Sequence, residues 1–128
     1  MPQSITPFVL VGVGGMAGSI ARYAVSLLGQ LISTAFPYGT LTVNLLGCFI
    51  IGLVAELAAE TTLISPEMRL LLATGFCGGF TTFSSFMFEV MGLVRDGELF
   101  YASLYVGISA VGGFLLLYFG MQLAKLWS

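Results

Sequence analysis

The stretch TGFCGGFTTFSSF, residues Thr74–Phe86, decides how this chain folds. It lies inside an apolar segment bounded by Arg69 and Arg95, where a helix would ordinarily run unbroken. Each of its glycines weakens a helix by about 1 kcal/mol relative to alanine. Because hydrocarbon offers no partner for free backbone groups, a break at this depth has to be buried in protein or line a watery cavity. The stretch therefore predicts a helix broken at mid-membrane, at a site through which a solute passes.

Composition places the whole chain in a bilayer. The 128 residues are 58% hydrophobic and only 8% charged, whereas soluble domains carry about 25% charged residues. A membrane helix needs about 20 apolar residues, so the chain has room for four spans, which we predict at about residues 7–31, 40–59, 67–94 and 99–125. The fold class is an all-α membrane protein in which residues 1–128 form a single four-helix transmembrane domain.

Several functions are disfavoured by what the sequence contains. Histidine is absent, so an imidazole metal site or an ordinary histidine proton relay cannot be built. A net charge of −2 gives no reason to expect nucleic acid as a partner. We expect Cys48 and Cys77, both within predicted spans, to be free thiols. Without a nucleophile and base pair or a metal cluster, the chain is not expected to be an enzyme.

The positive charges give almost no bias in orientation. With four spans, Arg69 and Lys125 fall on one side of the membrane and Arg95 on the other. The Lys/Arg content of the loops normally sets orientation. Two explanations stay open: other features fix the orientation, or the chain inserts both ways and pairs with an inverted copy.

Each of the other spans has one small and polar face, because residues three or four apart lie together on a helix. These faces are formed by Gly15, Gly18, Ser19, Arg22 and Ser26 in the first span, by Thr40, Asn44, Gly47 and Cys48 in the second, and by Tyr101, Tyr105, Ser109, Gly112 and Gly113 in the fourth. Close packing of helices explains most of the glycines. It explains Arg22 and Asn44 less well. For Arg22, snorkelling to an interface and a functional role both stay open. For Glu89, a structural role and a permeation role both stay open.

The phenylalanines of the central stretch recur every third residue, at Phe80, Phe83 and Phe86. Packed rings are the usual reason for such a stripe. A phenyl ring also has a positive edge, so rings held edge-on to a narrow path would favour a small anion. Backbone carbonyls exposed at Gly78 and Thr81 would instead suit a hard cation. Spacing alone does not choose between these ligands.

The stretch Thr74–Phe86, followed by Glu89, resembles the signature of the small bacterial fluoride channels, the Fluc or CrcB family. The resemblance extends along the chain. Gly39-Thr40 with Asn44-Leu45-Leu46-Gly47 looks like the second-helix motif of that family, and Gly15–Arg22 is similar to its first helix. It implies a fluoride-selective channel through which cytoplasmic fluoride leaves passively, in the bacterial plasma or inner membrane. It also implies an antiparallel homodimer with two pores.

The resemblance also implies roles for particular residues. Phe83 and Phe86 match a phenylalanine box whose ring edges meet fluoride, and Asn44 matches an asparagine that donates a hydrogen bond along the path. Gly78 and Thr81 match the residues whose carbonyls hold a structural Na⁺ at the dimer centre. The rest of the implied fluoride pathway consists of Thr40 in the second-helix motif, the polar track Tyr105, Ser109, Thr82 and Ser85, and Arg22 near the aqueous vestibule.

One position departs from the family pattern. Many members resemble Ser-x-x-x-Ser on the fourth helix, but here Ser109 is followed at that spacing by Gly113. Two other classes of protein stay as alternatives. A small multidrug exporter would need a carboxylate in the first span, which offers Arg22 instead. If the chain were a structural or assembly subunit, the helix break and its hydroxyls would have no explanation.

Overall fold

The computed structural model describes residues 2–128, and these residues form helices joined by short connections. Four helical stretches within this part are long and apolar enough to cross a membrane. We call them the first span (Ile5–Ile32), second span (Tyr38–Glu60), third span (Pro66–Arg95) and fourth span (Leu99–Trp127). The chain is therefore a four-span, all-helical membrane protein, as the sequence predicted.

The predicted boundaries agree with these ends to within about two residues. Hydropathy and local capping chemistry determine where each span begins and ends. The hydroxyl of Ser65 accepts a hydrogen bond from Met68 N at 3.1 Å, with Pro66 at the first helical position. The turn before the fourth span contains Gly97 at φ 76°, a left-handed conformation that glycine adopts without strain.

The third span is composed of several helical segments. It begins as the α-helix Pro66–Arg69, widens into π-helical turns over Leu70–Cys77, and returns to α-helix at Gly78–Phe80. The chain is then non-helical until Ser84–Arg95 completes the span. We call residues 66–80 the N-terminal arm and Ser84–Arg95 the C-terminal arm.

The predicted break lies slightly later in the chain than the glycines. We expected Gly78 and Thr81 both to be unwound, and for Gly78 this was wrong. Gly78 is helical at φ −62° and ψ −37°, whereas Thr81 is extended at φ −92° and ψ 161°. The reason is that Gly75 and Gly79 serve for close contact with the first span within a helical segment, and hydrogen bonds between the Asn44 side chain and Thr82 end the helix.

The first span packs along the N-terminal arm through glycine-lined backbone contacts. A Cβ added at Gly75 would lie 3.0 Å from the Gly14 Cα, and one at Gly79 would overlap the Gly15 carbonyl. One added at Gly18 would overlap the Phe76 carbonyl. Small residues at a membrane-helix interface let backbones approach in this way. The packing explanation of these glycines is therefore confirmed.

The second span packs mainly against the last part of the fourth span, Gly113–Ala124. Glu56 and Lys125 form an ion pair across this interface, with 3.5 Å between Glu56 Oε2 and Lys125 Nζ. The C-terminal arm packs against the start of the fourth span, Leu99–Gly107, in a small cluster. The cluster consists of Leu93, Ala102 and Tyr105, with Phe36, Leu41, Phe86 and Val90 beside them.

Candidate functional site

The break in the third span is held open by one side chain of the second span. The Asn44 Nδ2 atom donates to the Thr82 carbonyl at 3.0 Å, and Asn44 Oδ1 accepts from Thr82 N at 2.8 Å. The amide thus satisfies both backbone groups of a residue that has left the helix. Since a buried unpaired backbone group is costly, Asn44 stabilises the non-helical conformation at this point. The second Nδ2 hydrogen remains available to a ligand.

At the same break, two backbone carbonyls lose the N–H donors that a continuous helix would give them. In a continuous α-helix the Gly78 carbonyl would accept from Thr82 N, and the Thr81 carbonyl from Ser85 N. Here Thr82 N donates to Asn44 Oδ1, and Ser85 N donates to the Thr82 hydroxyl at 3.2 Å. The Gly78 and Thr81 carbonyls therefore do not receive the hydrogen bonds that a continuous helix would give them, and a cation at these oxygens stays a prediction.

Arg22 has a partner in the membrane interior, at the end of the N-terminal arm. Its Nε atom donates to the Gly79 carbonyl at 2.9 Å. The last carbonyls of a helix lack intrahelical partners, and a cation there is favourable for the helix dipole. The structure thus gives Arg22 a capping role at the break. Its place in a fluoride pathway stays a prediction.

A groove of about 540 Å³ opens beside the break. Its polar and aromatic lining includes Asn44, Thr81, Thr82, Phe83, Phe86 and Ser109. The Ser109 hydroxyl oxygen is buried and has no hydrogen-bond partner in the described chain. A buried hydroxyl left unpaired costs about 1–3 kcal/mol. The groove therefore contains a donor that is free for a ligand.

The groove is open on one side. Phe83 is 73% exposed although it lies at the middle of the third span. A Cβ added at Gly78, which also lines the groove, would meet nothing within 4 Å. Gly78 therefore differs from Gly75 and Gly79, whose lack of a side chain is needed for packing within one chain.

The two predicted box residues have different surroundings. Phe86 meets the Tyr105 ring edge-on, with 4.9 Å between centroids and planes inclined at 81°. Phe83 is tilted against Phe86 at 6.2 Å and is otherwise exposed. Phe86 is therefore fixed by packing within the chain, while Phe83 is a ring presented to whatever covers the groove.

A hydrogen-bonded cluster lies one helical turn from the groove. Glu89 Oε2 accepts from the Thr40 hydroxyl at 2.9 Å, and Glu89 Oε1 accepts from the Tyr105 hydroxyl at 2.8 Å. Tyr105 is fully buried and Thr40 is 5% exposed. We call Thr40, Glu89 and Tyr105 the carboxylate cluster. Sequence analysis left the role of Glu89 open; its signal in the sequence is a carboxylate inside the predicted third span.

A second cavity lies beside the carboxylate cluster. This vestibule of about 350 Å³ is lined by Thr40 and Glu89 together with polar residues of the first span and the loop that follows it, among them Ser26, Gln30, Ser33 and Thr34. On the second span Asn44 lines the groove one turn from Thr40, and on the third span Phe86 lines the groove one turn from Glu89. The two cavities therefore adjoin across a single turn of two helices.

Most predicted pathway residues lie around these two cavities. Asn44, Thr82, Phe83, Phe86 and Ser109 line the groove, and Thr40 lines the vestibule. Tyr105 is buried between them through its bond to Glu89. Ser85 and Arg22 line neither cavity. Both make hydrogen bonds at the break instead. Arg22 donates to the Gly79 carbonyl, and the backbone N of Ser85 donates to the Thr82 hydroxyl.

Four spans with a polar, hydroxyl-lined break at mid-membrane define a multi-pass membrane protein with an internal polar site. The sequence profile of the family described as CrcB-like protein, Camphor Resistance (CrcB), matches residues 9–121. The chain belongs to this family.

Curated relatives match along nearly the whole chain. A protein of Chlorobium phaeobacteroides (strain BS1) named fluoride-specific ion channel FluC is 60% identical over 128 residues, which covers 100% of both chains. Proteins with the same name from Prosthecochloris aestuarii and Methylobacillus flagellatus are 55% and 44% identical. The match to the Prosthecochloris protein covers 100% of both chains. The match to the Methylobacillus protein covers 92% of this chain and 94% of the relative.

Proposed function

We propose that this chain is a passive, fluoride-selective ion channel and not an enzyme. The observation that carries the proposal is the groove at the break, where an unpartnered buried hydroxyl at Ser109 lies with ring edges and an amide donor. The names of the relatives give the same ion. These relatives offer no support for a small multidrug exporter, and a purely structural subunit would not need a free donor in an open groove.

Fluoride is a small anion, so removing its water in a low-dielectric site costs tens of kcal/mol if nothing replaces that water. The groove offers replacements of three kinds. Ser109 supplies a hydroxyl, Asn44 its second amide hydrogen, and Phe83 and Phe86 the positive edges of their rings. Together these groups favour a small anion over a cation, which would prefer the faces of the rings.

The route we propose runs from the vestibule past the carboxylate cluster into the groove. Fluoride would leave water among the hydroxyls of Ser33 and Thr34 and then pass Glu89. The negative charge of Glu89 opposes an anion, and the bonds from Thr40 and Tyr105 compensate part of that charge. We infer that these two donors hold the carboxylate aside while the anion moves on to Phe86.

We propose that a second, inverted copy of the chain covers the groove to form an antiparallel homodimer with two pores. The support is that polar groups at mid-span lie open on the side where Phe83 is exposed, which hydrocarbon alone does not tolerate. The nearly balanced charges, with Arg69 and Lys125 opposite Arg95, are compatible with insertion in both directions.

We propose a structural Na⁺ held by the carbonyls of Gly78 and Thr81 at the centre of that dimer. The fit rests on the diversion of Thr82 N and Ser85 N to side-chain acceptors. Oxygen ligands from backbone carbonyls are the kind that hard cations take. The bound ion would supply fixed positive charge between the two pores.

The experiment is fluoride release from liposomes that contain the purified protein. A potassium shunt should let fluoride leave rapidly, with chloride leaving more slowly by orders of magnitude. Fluoride release should follow the membrane potential and need no nucleotide, since the mechanism is passive. Equal rates for the two ions, or no release of either, would refute the proposal.

A further inference from the structure

The second and fourth spans meet at a contact between a thiol and a glycine. Cys48, a free cysteine, is partly exposed and lines the groove. A Cβ added at Gly113 would lie 3.1 Å from Cys48 Sγ, closer than an ordinary van der Waals contact. The thiol therefore occupies space that a side chain at position 113 would need.

This contact lies one turn from the unpartnered hydroxyl of Ser109. Gly113 N donates to the Ser109 carbonyl at the end of the π-helical turns Ile108–Gly112. π-Helical turns in membrane and soluble helices are frequent at functional sites. The buried Ser109 hydroxyl itself points to a ligand, because it has no partner in the described chain.

Cys48 also shares a face with the residue that clamps the break. Asn44 and Cys48 are four residues apart on the second span and both line the groove. The second span thus presents an amide and a thiol to the groove, and the fourth span presents the Ser109 hydroxyl. Gly113 adds no polar side chain of its own.

We infer that the thiol of Cys48 is a hydrogen-bond donor to the permeating anion and forms a subsite with the Ser109 hydroxyl. The inference rests on the proposed function and extends it to a residue that sequence analysis did not include in the pathway. A thiol is a weaker donor than a hydroxyl. Gly113 provides the room for the Cys48 side chain.

The experiment measures fluoride release from liposomes for Cys48→Ala, Cys48→Ser and a matched pair of double variants. The pair combines Cys48→Gly with either Gly113→Ser or Gly113→Ala, so its members differ by one hydroxyl oxygen on the opposite helix. Size-exclusion profiles in detergent establish that each variant folds. The wild-type protein, measured in the same preparation of lipid, gives the reference rate.

Loss of a hydrogen bond to an ion should slow release by about tenfold in Cys48→Ala. Cys48→Ser should conduct at least as fast as wild type, and the Gly113→Ser double variant about tenfold faster than its Gly113→Ala partner. Where Cys48→Ala fails to fold, Cys48→Ser decides, since release slower than wild type by that variant would overturn the inference. Equal rates within the pair, or wild-type speed in a folded Cys48→Ala, would overturn the inference alone. No fluoride release by wild type would overturn it together with the proposed function.

Discussion

The two arms of the third span carry the same kinds of residue and serve different purposes. In the N-terminal arm, Gly75 and Gly79 allow the backbone of the first span to approach, and Phe80 is buried. In the C-terminal half of the signature, Phe83 is exposed and Phe86 meets the Tyr105 ring edge-on. The face of the N-terminal arm that carries Gly75 and Gly79 is thus a packing surface, whereas Thr81–Phe83 and Phe86 line the groove.

The difference shows that a broken membrane helix needs an external partner at the break. Glycines alone leave the N-terminal arm helical through Phe80. The helix ends where the Asn44 side chain hydrogen-bonds to both backbone groups of Thr82. Arg22 donates to the Gly79 carbonyl at the same point. Packing residues and site residues can therefore be separated by substitutions in one set that leave the other set unchanged.

The largest effect should come from Gly79→Ala. The new Cβ would overlap the Gly15 carbonyl, which belongs to backbone and cannot move aside. We expect a loss of about 3 kcal/mol or more in the free energy of unfolding, seen as a lower thermal midpoint in detergent and little folded protein. Gly78→Ala is the matched control, since its Cβ would meet nothing within the chain. Equal destabilisation by both substitutions would contradict the assignment of Gly79 to close packing and of Gly78 to the open groove.

Asn44→Ala should be next in size. It leaves Thr82 N and the Thr82 carbonyl without their partners, which predicts a loss of about 2–4 kcal/mol in the free energy of unfolding and strongly reduced fluoride release. Thr42→Ala changes an exposed residue on the same span and should shift the free energy by only about 0.5 kcal/mol. If the two variants unfolded alike, Asn44 would not be what holds the break.

Phe83→Ile and Phe86→Ile should separate packing from conduction. Phe86→Ile loses the edge contact with Tyr105, worth about 0.5–1.5 kcal/mol, whereas Phe83→Ile should leave the stability of the chain nearly unchanged because the ring is exposed. Both should slow fluoride release from liposomes. Wild-type rates in both variants would assign the rings to packing alone.

The smallest chemical change is Tyr105→Phe, which keeps the ring and removes one hydroxyl. Glu89 Oε1 would lose its donor at 2.8 Å. We expect a loss of about 1–2 kcal/mol in unfolding free energy and slower fluoride release, since the carboxylate charge is then less compensated. Tyr105→Phe combined with Glu89→Gln should recover part of the rate. A double variant slower than Tyr105→Phe would mean that the Glu89 charge itself assists conduction.

Sequence analysis predicted the spans well because hydropathy and caps act locally. The Ser65 cap and the Gly97 turn, for example, need only neighbouring residues. The predicted break included both Gly78 and Thr81, but Gly78 is helical and the break begins at Thr81. Its true place depends on Asn44, which lies 38 residues away along the chain. No local propensity carries that information.

The site was predicted in the same uneven way. Asn44, Phe83 and Phe86 were identified from the motif, and they do line one groove. The bonds of Glu89 to Thr40 and Tyr105 were not predicted, because they join three different spans. Helical spacing shows which residues share a face of one helix, but it does not tell which faces of separate helices meet.

The central claim is that the groove beside Phe83 is half of a site completed by an inverted copy. Its most direct test is the sidedness of a cysteine introduced at Ser128, probed with a membrane-impermeant maleimide on intact cells. The unaltered chain, whose own thiols at Cys48 and Cys77 lie within the spans, is the blank. We predict that about half of the introduced cysteine is labelled from outside and the remainder only after permeabilisation. Labelling from one side alone would contradict the claim.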